Sequence, residues 1–165
     1  KIFFHQSMET LPKKIDLVTI LITSKIRSKI IKKLLTKSKI KFMILEKFLF
    51  QKISDYRNNL KRLKKHKIYS WVNCQRRAFP FYQNLKKKIR KGSIEMIVKG
   101  NRWNLMSNSI HFLDLFFFLS GEKKIKLIKN DLSKKVLNSK RTGFISLFGK
   151  ISINFFDSSK IKLLQ

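Results

Sequence analysis

The sequence predicts an α/β fold, a parallel sheet with crossover helices followed by an α+β half. Three observations predict it. Short β-branched apolar runs alternate with amphipathic stretches, strand–helix–strand–helix–strand, as far as Asn73. Beyond Asn73 that alternation stops, and helices and strands follow in a looser order. Near the C-terminus Ile151, Ile153 and Phe155 alternate with Ser152 and Asn154, the period of an antiparallel sheet with one wet face. Two domains are expected, 1–73 and 74–165, with no repeat or linker between them.

The elements follow in order. The run 16-DLVTILIT-23 reads as a buried strand, with Ser24 as the N-cap of a helix over 25–37. That helix places Ile26, Ile30, Ile31, Leu34 and Leu35 on one face and lysines opposite. A second strand, 40-IKFMIL-45, precedes a helix from about Ser54 to Lys67 with Ile53, Tyr56, Leu60 and Leu63 as its stripe. A third strand, 68-IYSWVN-73, follows directly. Short connections between strands of this kind argue for parallel pairing and right-handed crossovers. Pro80 suits the first turn of a helix continuing through 81-FYQNLKKKIRK-91 to Gly92, and 93-SIEMIVKG-100 is a strand. The stretch 107-SNSIHFLDLFFFLSG-121 is a helix apolar on all sides, expected to be buried and stopped by Gly121. Strands are expected at 144-FISLF-148 and 151-ISINFF-156.

At 165 residues and 43% hydrophobic, the chain can bury a core. Its 39 Lys+Arg against 9 Asp+Glu give a formal net charge of +30. Such a charge suits a polyanion partner, nucleic acid or an anionic membrane surface. Drift towards A/T-rich codons produces the same Lys, Ile, Phe and Asn bias, and the lysines are spread along the whole chain. No zinc finger or RNP-type strand is present, so nucleic acid is expected to bind only non-specifically. Cys74 is the single cysteine, which excludes an intrachain disulfide and a cysteine zinc site, and no metal is expected. A reducing, cytoplasmic location is the corresponding expectation. The longest apolar run, around 110–119, is half the length of a membrane span, and no signal peptide is evident.

Three stretches carry chemistry. In 44-ILEKFLFQ-51, Glu46 and Lys47 stand at the carboxyl end of a strand, where open α/β sheets bind ligands. A solvated Glu–Lys pair is the alternative. In 73-NCQRRAFPFY-82, Arg76 and Arg77 offer forks for phosphate or carboxylate, or are surface charge. Cys74 has no marked general base and reads as a small buried thiol. In 100-GNRWNLMSNSIHFLD-114, Asn108, His111 and Asp114 recur every third residue along one side of a helix. One of them can orient the imidazole and leave its other nitrogen for proton transfer. Alternatively Asn108 caps the helix and Asp114 satisfies a core histidine.

Taken together, "EK" at a strand end, a strand ending "VNxxRR", "P-x-Y" and "G-x-x-W-x-L-x-x-N-x-I-H-x-x-D-L" with a final "L-S-G" resemble the Gfo/Idh/MocA family over 16–121. These are NAD(P)-dependent sugar and polyol dehydrogenases. The resemblance implies the C-terminal part of a Rossmann-like sheet in 1–73 and a substrate and dimerisation domain in 74–165. It implies that Ser24, Glu46, Lys47 and Arg77 lie at the cofactor and that Arg76, Trp103, Asn108 and His111 lie at a sugar or nucleotide-sugar substrate. His111 would be the acid/base, Lys47 would lower the pKa of the reacting hydroxyl, and Asp114 would be the carboxylate of His-x-x-Asp. A homo-oligomer through the C-terminal sheet is also implied.

The chain departs from the family pattern in several places. Ile22-Thr23 stands where Thr-Pro is common, Phe48 replaces the motif proline, and Ser107 stands where an aspartate is common. No G-x-G-x-x-G occurs and no glycine precedes Gly92, so the pyrophosphate-binding turn of a dinucleotide site is missing. The chain begins with Lys, and a truncated enzyme that binds NAD or NADP weakly or not at all is the expectation. The alternatives are a basic nucleic-acid-binding protein and a relative that kept the fold and lost the chemistry.

Overall fold

The computed structural model describes residues 3–89, 92–122, 124–138 and 145–165. The chain divides into two compact units, Lys1–Asn73 and Cys74–Gln165.

In the first unit a 3-10 turn, Met8–Thr10, leads to β1 (Lys14–Ile20), α1 (Ser24–Lys37), β2 (Lys39–Leu45), α2 (Ile53–Lys65) and β3 (Tyr69–Val72). The strands form one parallel sheet in the order β1-β2-β3. Each is too short to be stable alone, so helix packing supplies the stability. Ile20, Met43 and Leu45 from the sheet meet Ile31, Leu34 and Leu35 of α1 and Leu63 of α2 in one cluster. Fully burying side chains such as Ile31 or Met43 stabilises the unit by roughly 1.5–3 kcal/mol each.

The opposite face of the sheet is open. Leu17, Phe42 and Tyr69 are register partners and share that face with Trp71; Leu17, Tyr69 and Trp71 are each more than half exposed. Phe42 lies between the rings of Tyr69 and Trp71, 6.0 Å from each.

Two helix faces differ from the sequence expectation. On α1 the buried positions are Ser24, Arg27, Ile31, Leu34 and Leu35, and Ile26 is exposed. On α2 only Asn59 and Leu63 are buried, leaving Ile53, Tyr56 and Leu60 exposed. Polar side chains enter the packed face of both helices, and the backbone offers Arg27 and Asn59 hydrogen-bond partners there. Helix α1 also begins at Ser24, with Thr23 rather than Ser24 at the N-cap.

The second unit holds a 3-10 turn, Gln75–Ala78, then α3 (Pro80–Lys88), β4 (Glu95–Lys99) and α4 (Leu105–Ser120). Then come β5 (Ile125–Leu132), the two-residue β6 (Leu137–Asn138) and β7 (Ile145–Ser146), β8 (Gly149–Phe155) and β9 (Lys160–Leu164). A mixed sheet runs β4-β9-β8-β5, with β4 and β9 parallel and the other pairs antiparallel. β5 and β9 are absent from the sequence expectation, because lysines interrupt their apolar period. Phe144 of the expected strand 144–148, and Arg90 and Lys91 of the expected helix, lie outside the described residues.

Ile153, Phe155, Ile161 and Leu163 meet Leu105 and Phe116 of α4, with Phe116 stacked on Phe155 at 4.7 Å. Helix α4 buries Leu105, Ser109, Leu115, Phe116 and Leu119, whereas Met106 and Ile110 are exposed. The all-round burial expected of this apolar helix is therefore corrected: one face packs and others stay open. Gly121 ends α4 in the left-handed conformation at φ 76°, as expected for a C-terminal glycine.

Candidate functional site

In the first unit the chemistry-bearing residues gather at the carboxyl ends of the strands. The amides of Glu46 and Asn73 extend the ladders, donating to Ile20 O at 3.1 Å and Leu45 O at 2.8 Å. The Glu46 carboxylate accepts from the Lys47 amide at 3.0 Å and from Asn73 Nδ2 at 3.2 Å. It thereby ties the turn after β2 to the turn after β3. Lys47 is half-buried. The Lys47–Phe48 peptide bond is cis, a geometry that phenylalanine at that position does not by itself assure.

Arg27 holds this turn from behind. Its side chain is fully buried, and Nη1 donates to Phe48 O at 2.7 Å and Leu49 O at 2.6 Å. Nη2 donates to Ile22 O, at the turn between β1 and α1. Burial lowers the guanidinium pKa, and the nearby Glu46 carboxylate opposes that shift. Sequence reasoning missed Arg27. The signal was its i, i+4, i+7 spacing with Ile31 and Leu34, which puts it on the packed face. Ser24, the first residue of α1, is also buried.

A dinucleotide needs a turn where its pyrophosphate can approach the backbone closely. The turn between β1 and α1 is Leu21-Ile22-Thr23, which has no glycine, and Arg27 occupies one of its carbonyls. The residues present therefore do not make a complete dinucleotide site.

In the second unit α4 organises the site. Asn104 is its N-cap in the left-handed conformation at φ 59°, so Asn108 lies in the first turn rather than at the cap. Asn108 Nδ2 donates to Trp103 O at 2.6 Å. Trp103 Nε1 donates to Leu164 O at 2.8 Å, and its ring meets Phe112 edge-on at 5.3 Å. The Arg76 guanidinium also lies over Phe112, 4.4 Å from the ring centre.

Arg77 grips Asp114. Its Nε donates to Oδ2 at 2.7 Å and its Nη2 donates to Oδ1, a two-pronged fork. The hydrogen bond to Asp114 raises the Arg77 pKa. Asp114 thus pins the 3-10 turn Gln75–Ala78 onto α4, one helical turn from the half-buried His111. An imidazole can serve as a general acid or base where a substrate hydroxyl comes within hydrogen-bond reach. Cys74 is buried, and no group of three or more metal-ligating side chains occurs among the described residues.

Of the residues singled out from sequence, the structure brings together Glu46 with Lys47 in one unit. In the other it links Arg76 and Trp103 through Phe112, Trp103 with Asn108, and Arg77 with Asp114.

The fold is that of solved oxidoreductases. A dehydrogenase (MviM) from Clostridium difficile matches with a TM-score of 0.72 at 20% identity, over 98% of this chain and 54% of its own. UDP-N-acetylglucosamine 3-dehydrogenase GnnA from Acidithiobacillus ferrooxidans matches with a TM-score of 0.69 at 12% identity, over 96% and 51%. A super-repressor mutant of Gal80p from Saccharomyces cerevisiae matches with a TM-score of 0.64 at 15% identity, over 90% and 49%. The chain thus spans about half the length of the structures it matches. No family model matches the sequence, and no curated protein matches it at a significant level. No helix among the described residues is long and apolar enough to cross a membrane.

Proposed function

We propose that the chain is the substrate-side portion of a Gfo/Idh/MocA-type oxidoreductase acting on a sugar or nucleotide-sugar hydroxyl. The observation that carries it is α4, which presents His111 from a helix fixed by the Arg77–Asp114 fork and the Trp103–Phe112–Arg76 stack. That the shared fold includes a UDP-sugar 3-dehydrogenase supports the substrate class. His111 takes the hydroxyl proton as the carbinol carbon is oxidised and returns it in the reverse direction. Asp114 acts as a positioning residue, since both its carboxylate oxygens accept from Arg77. The resemblance gives Lys47 the assisting role at the hydroxyl, and Arg76, Trp103 and Asn108 the recognition of a polar substrate.

NAD or NADP is the redox partner of this class and, when bound, would accept the hydride from the carbinol carbon. Titration of this chain with NADH or NADPH, followed by nicotinamide fluorescence, is expected to show weak or no binding. Micromolar affinity would contradict that. In the full-length protein His111→Ala is expected to lower dehydrogenase kcat by about 10²–10⁴-fold, the range of a lost acid/base. Unchanged turnover removes His111 from the role.

A second reading is a relative that kept the fold without the chemistry. The match to a super-repressor mutant of Gal80p supports it. The His111→Ala measurement separates the two readings.

A further inference from the structure

Each strand of the first unit is entered through lysines: 13-KK-14 before and into β1, 37-KSKIK-41 into β2, and 64-KKHK-67 ahead of β3. A parallel sheet puts all strand starts at one edge. The spacing along the chain is therefore converted by topology into a cluster in space. Lys14 and Lys39 are register partners, Lys41 lies two residues further along β2, and Lys67 occupies the tight turn before β3 at φ 53°. The four lysines and Asp16, together with Ile15 and Ile40, line one open cleft of about 320 Å³. The five charged side chains are exposed, and among the described residues none of them forms an ion pair.

Four lysines and one aspartate line it, so the cleft carries a net positive formal charge; the Lys41 ammonium also lies over the Phe42 ring, 5.0 Å from its centre. The ammonium is a compact point charge with three donors, suited to phosphate oxygens. This edge is the amino end of the sheet, opposite the carboxyl ends that carry Glu46 and Lys47. We propose that this cleft binds a linear polyphosphate chain, its phosphate groups bridging Lys14, Lys39, Lys41 and Lys67. The site is independent of the oxidoreductase reading. A polyphosphate supplies several negative charges over the distance that separates the strand starts, whereas a single carboxylate or orthophosphate reaches fewer of the lysines.

The test is amine-reactive footprinting of the intact chain, read by mass spectrometry, with sodium tripolyphosphate as the probe at constant ionic strength. Lys14, Lys39, Lys41 and Lys67 are expected to be protected, while the exposed Lys25, Lys29 and Lys32 of α1 are not. Protection spread evenly over all lysines, or none, overturns the site and leaves only the general charge of the chain. Calorimetric titration gives a second readout. Lys39→Gln/Lys67→Gln removes two charge-assisted contacts and is expected to weaken tripolyphosphate binding by about tenfold or more. Lys25→Gln/Lys29→Gln removes the same charge elsewhere and is expected to leave affinity nearly unchanged; equal losses in both variants overturn the proposal. Adenosine triphosphate as a parallel probe distinguishes the carriers. Equal protection assigns the site to the phosphate chain itself, and protection by tripolyphosphate alone assigns it to free polyphosphate.

Discussion

Arg27 donates to three backbone carbonyls from a fully buried position, and those carbonyls belong to the two turns that frame Lys47. Removing it strands buried acceptors and leaves a cavity. Arg27→Ala is expected to destabilise the chain by about 2–4 kcal/mol, measured by urea denaturation. Arg27→Lys is expected to recover only part of that, because one ammonium cannot reproduce a planar fork spanning Ile22, Phe48 and Leu49. Asp114 shows the same logic from the acidic side. The i, i+3 spacing of His111 and Asp114 puts both on one side of the helix, and the Asp114 carboxylate accepts from a guanidinium in a 3-10 turn far away in sequence. A sequence can show that two polar residues share a helix face, yet it cannot show what third residue reaches them.

At the scale of the element, the mixed sheet depends on Gly149 at the start of β8. Its φ is +127°, and a Cβ there would lie 2.2 Å from Asp131 O on β5. Gly149→Ala is expected to cost about 2 kcal/mol or more, through both backbone strain and the clash, and to lower the thermal midpoint of the chain. The control Gly92→Ala meets no atom within 4 Å, although its φ of +144° also strains a side chain. The difference between the two variants therefore measures the β5–β8 contact. Among the elements, those with an uninterrupted period, such as α1, β2 and β8, were legible from the residues. β5 and β9 were not, since Lys126, Lys129, Lys160 and Lys162 break their apolar runs. Those lysines are tolerated because β9 turns only Ile161 and Leu163 into the core, and β5 stands at the sheet edge.

For the whole molecule, charge sets the conditions of stability. A formal net charge of +30 repels itself in the folded state, so few carboxylates carry a large share of the compensation. Glu9 is held below its ordinary pKa of 4.5 by its hydrogen bond to Lys37, and Glu95 is held below the same value by Lys162. A depressed carboxylate contributes stability above its unfolded pKa and loses it as the pH falls through the folded one. Thermal stability is therefore expected to fall as the pH drops below about 4.5, measured by circular dichroism melting. Glu9→Gln/Glu95→Gln should make that fall shallower.

The sequence by itself determined the α/β class, the order of the first three strands and two helices, and the placement of Glu46 and Lys47 at a strand end. These are local consequences of period, length and strand-end position, written in consecutive residues. Tertiary structure alone decided that Arg27 enters the core, that Asp114 serves Arg77, and that lysines separated by more than fifty residues meet at one sheet edge. Each of these depends on which segments the folded backbone brings together, and strand pairing over long separations sets that.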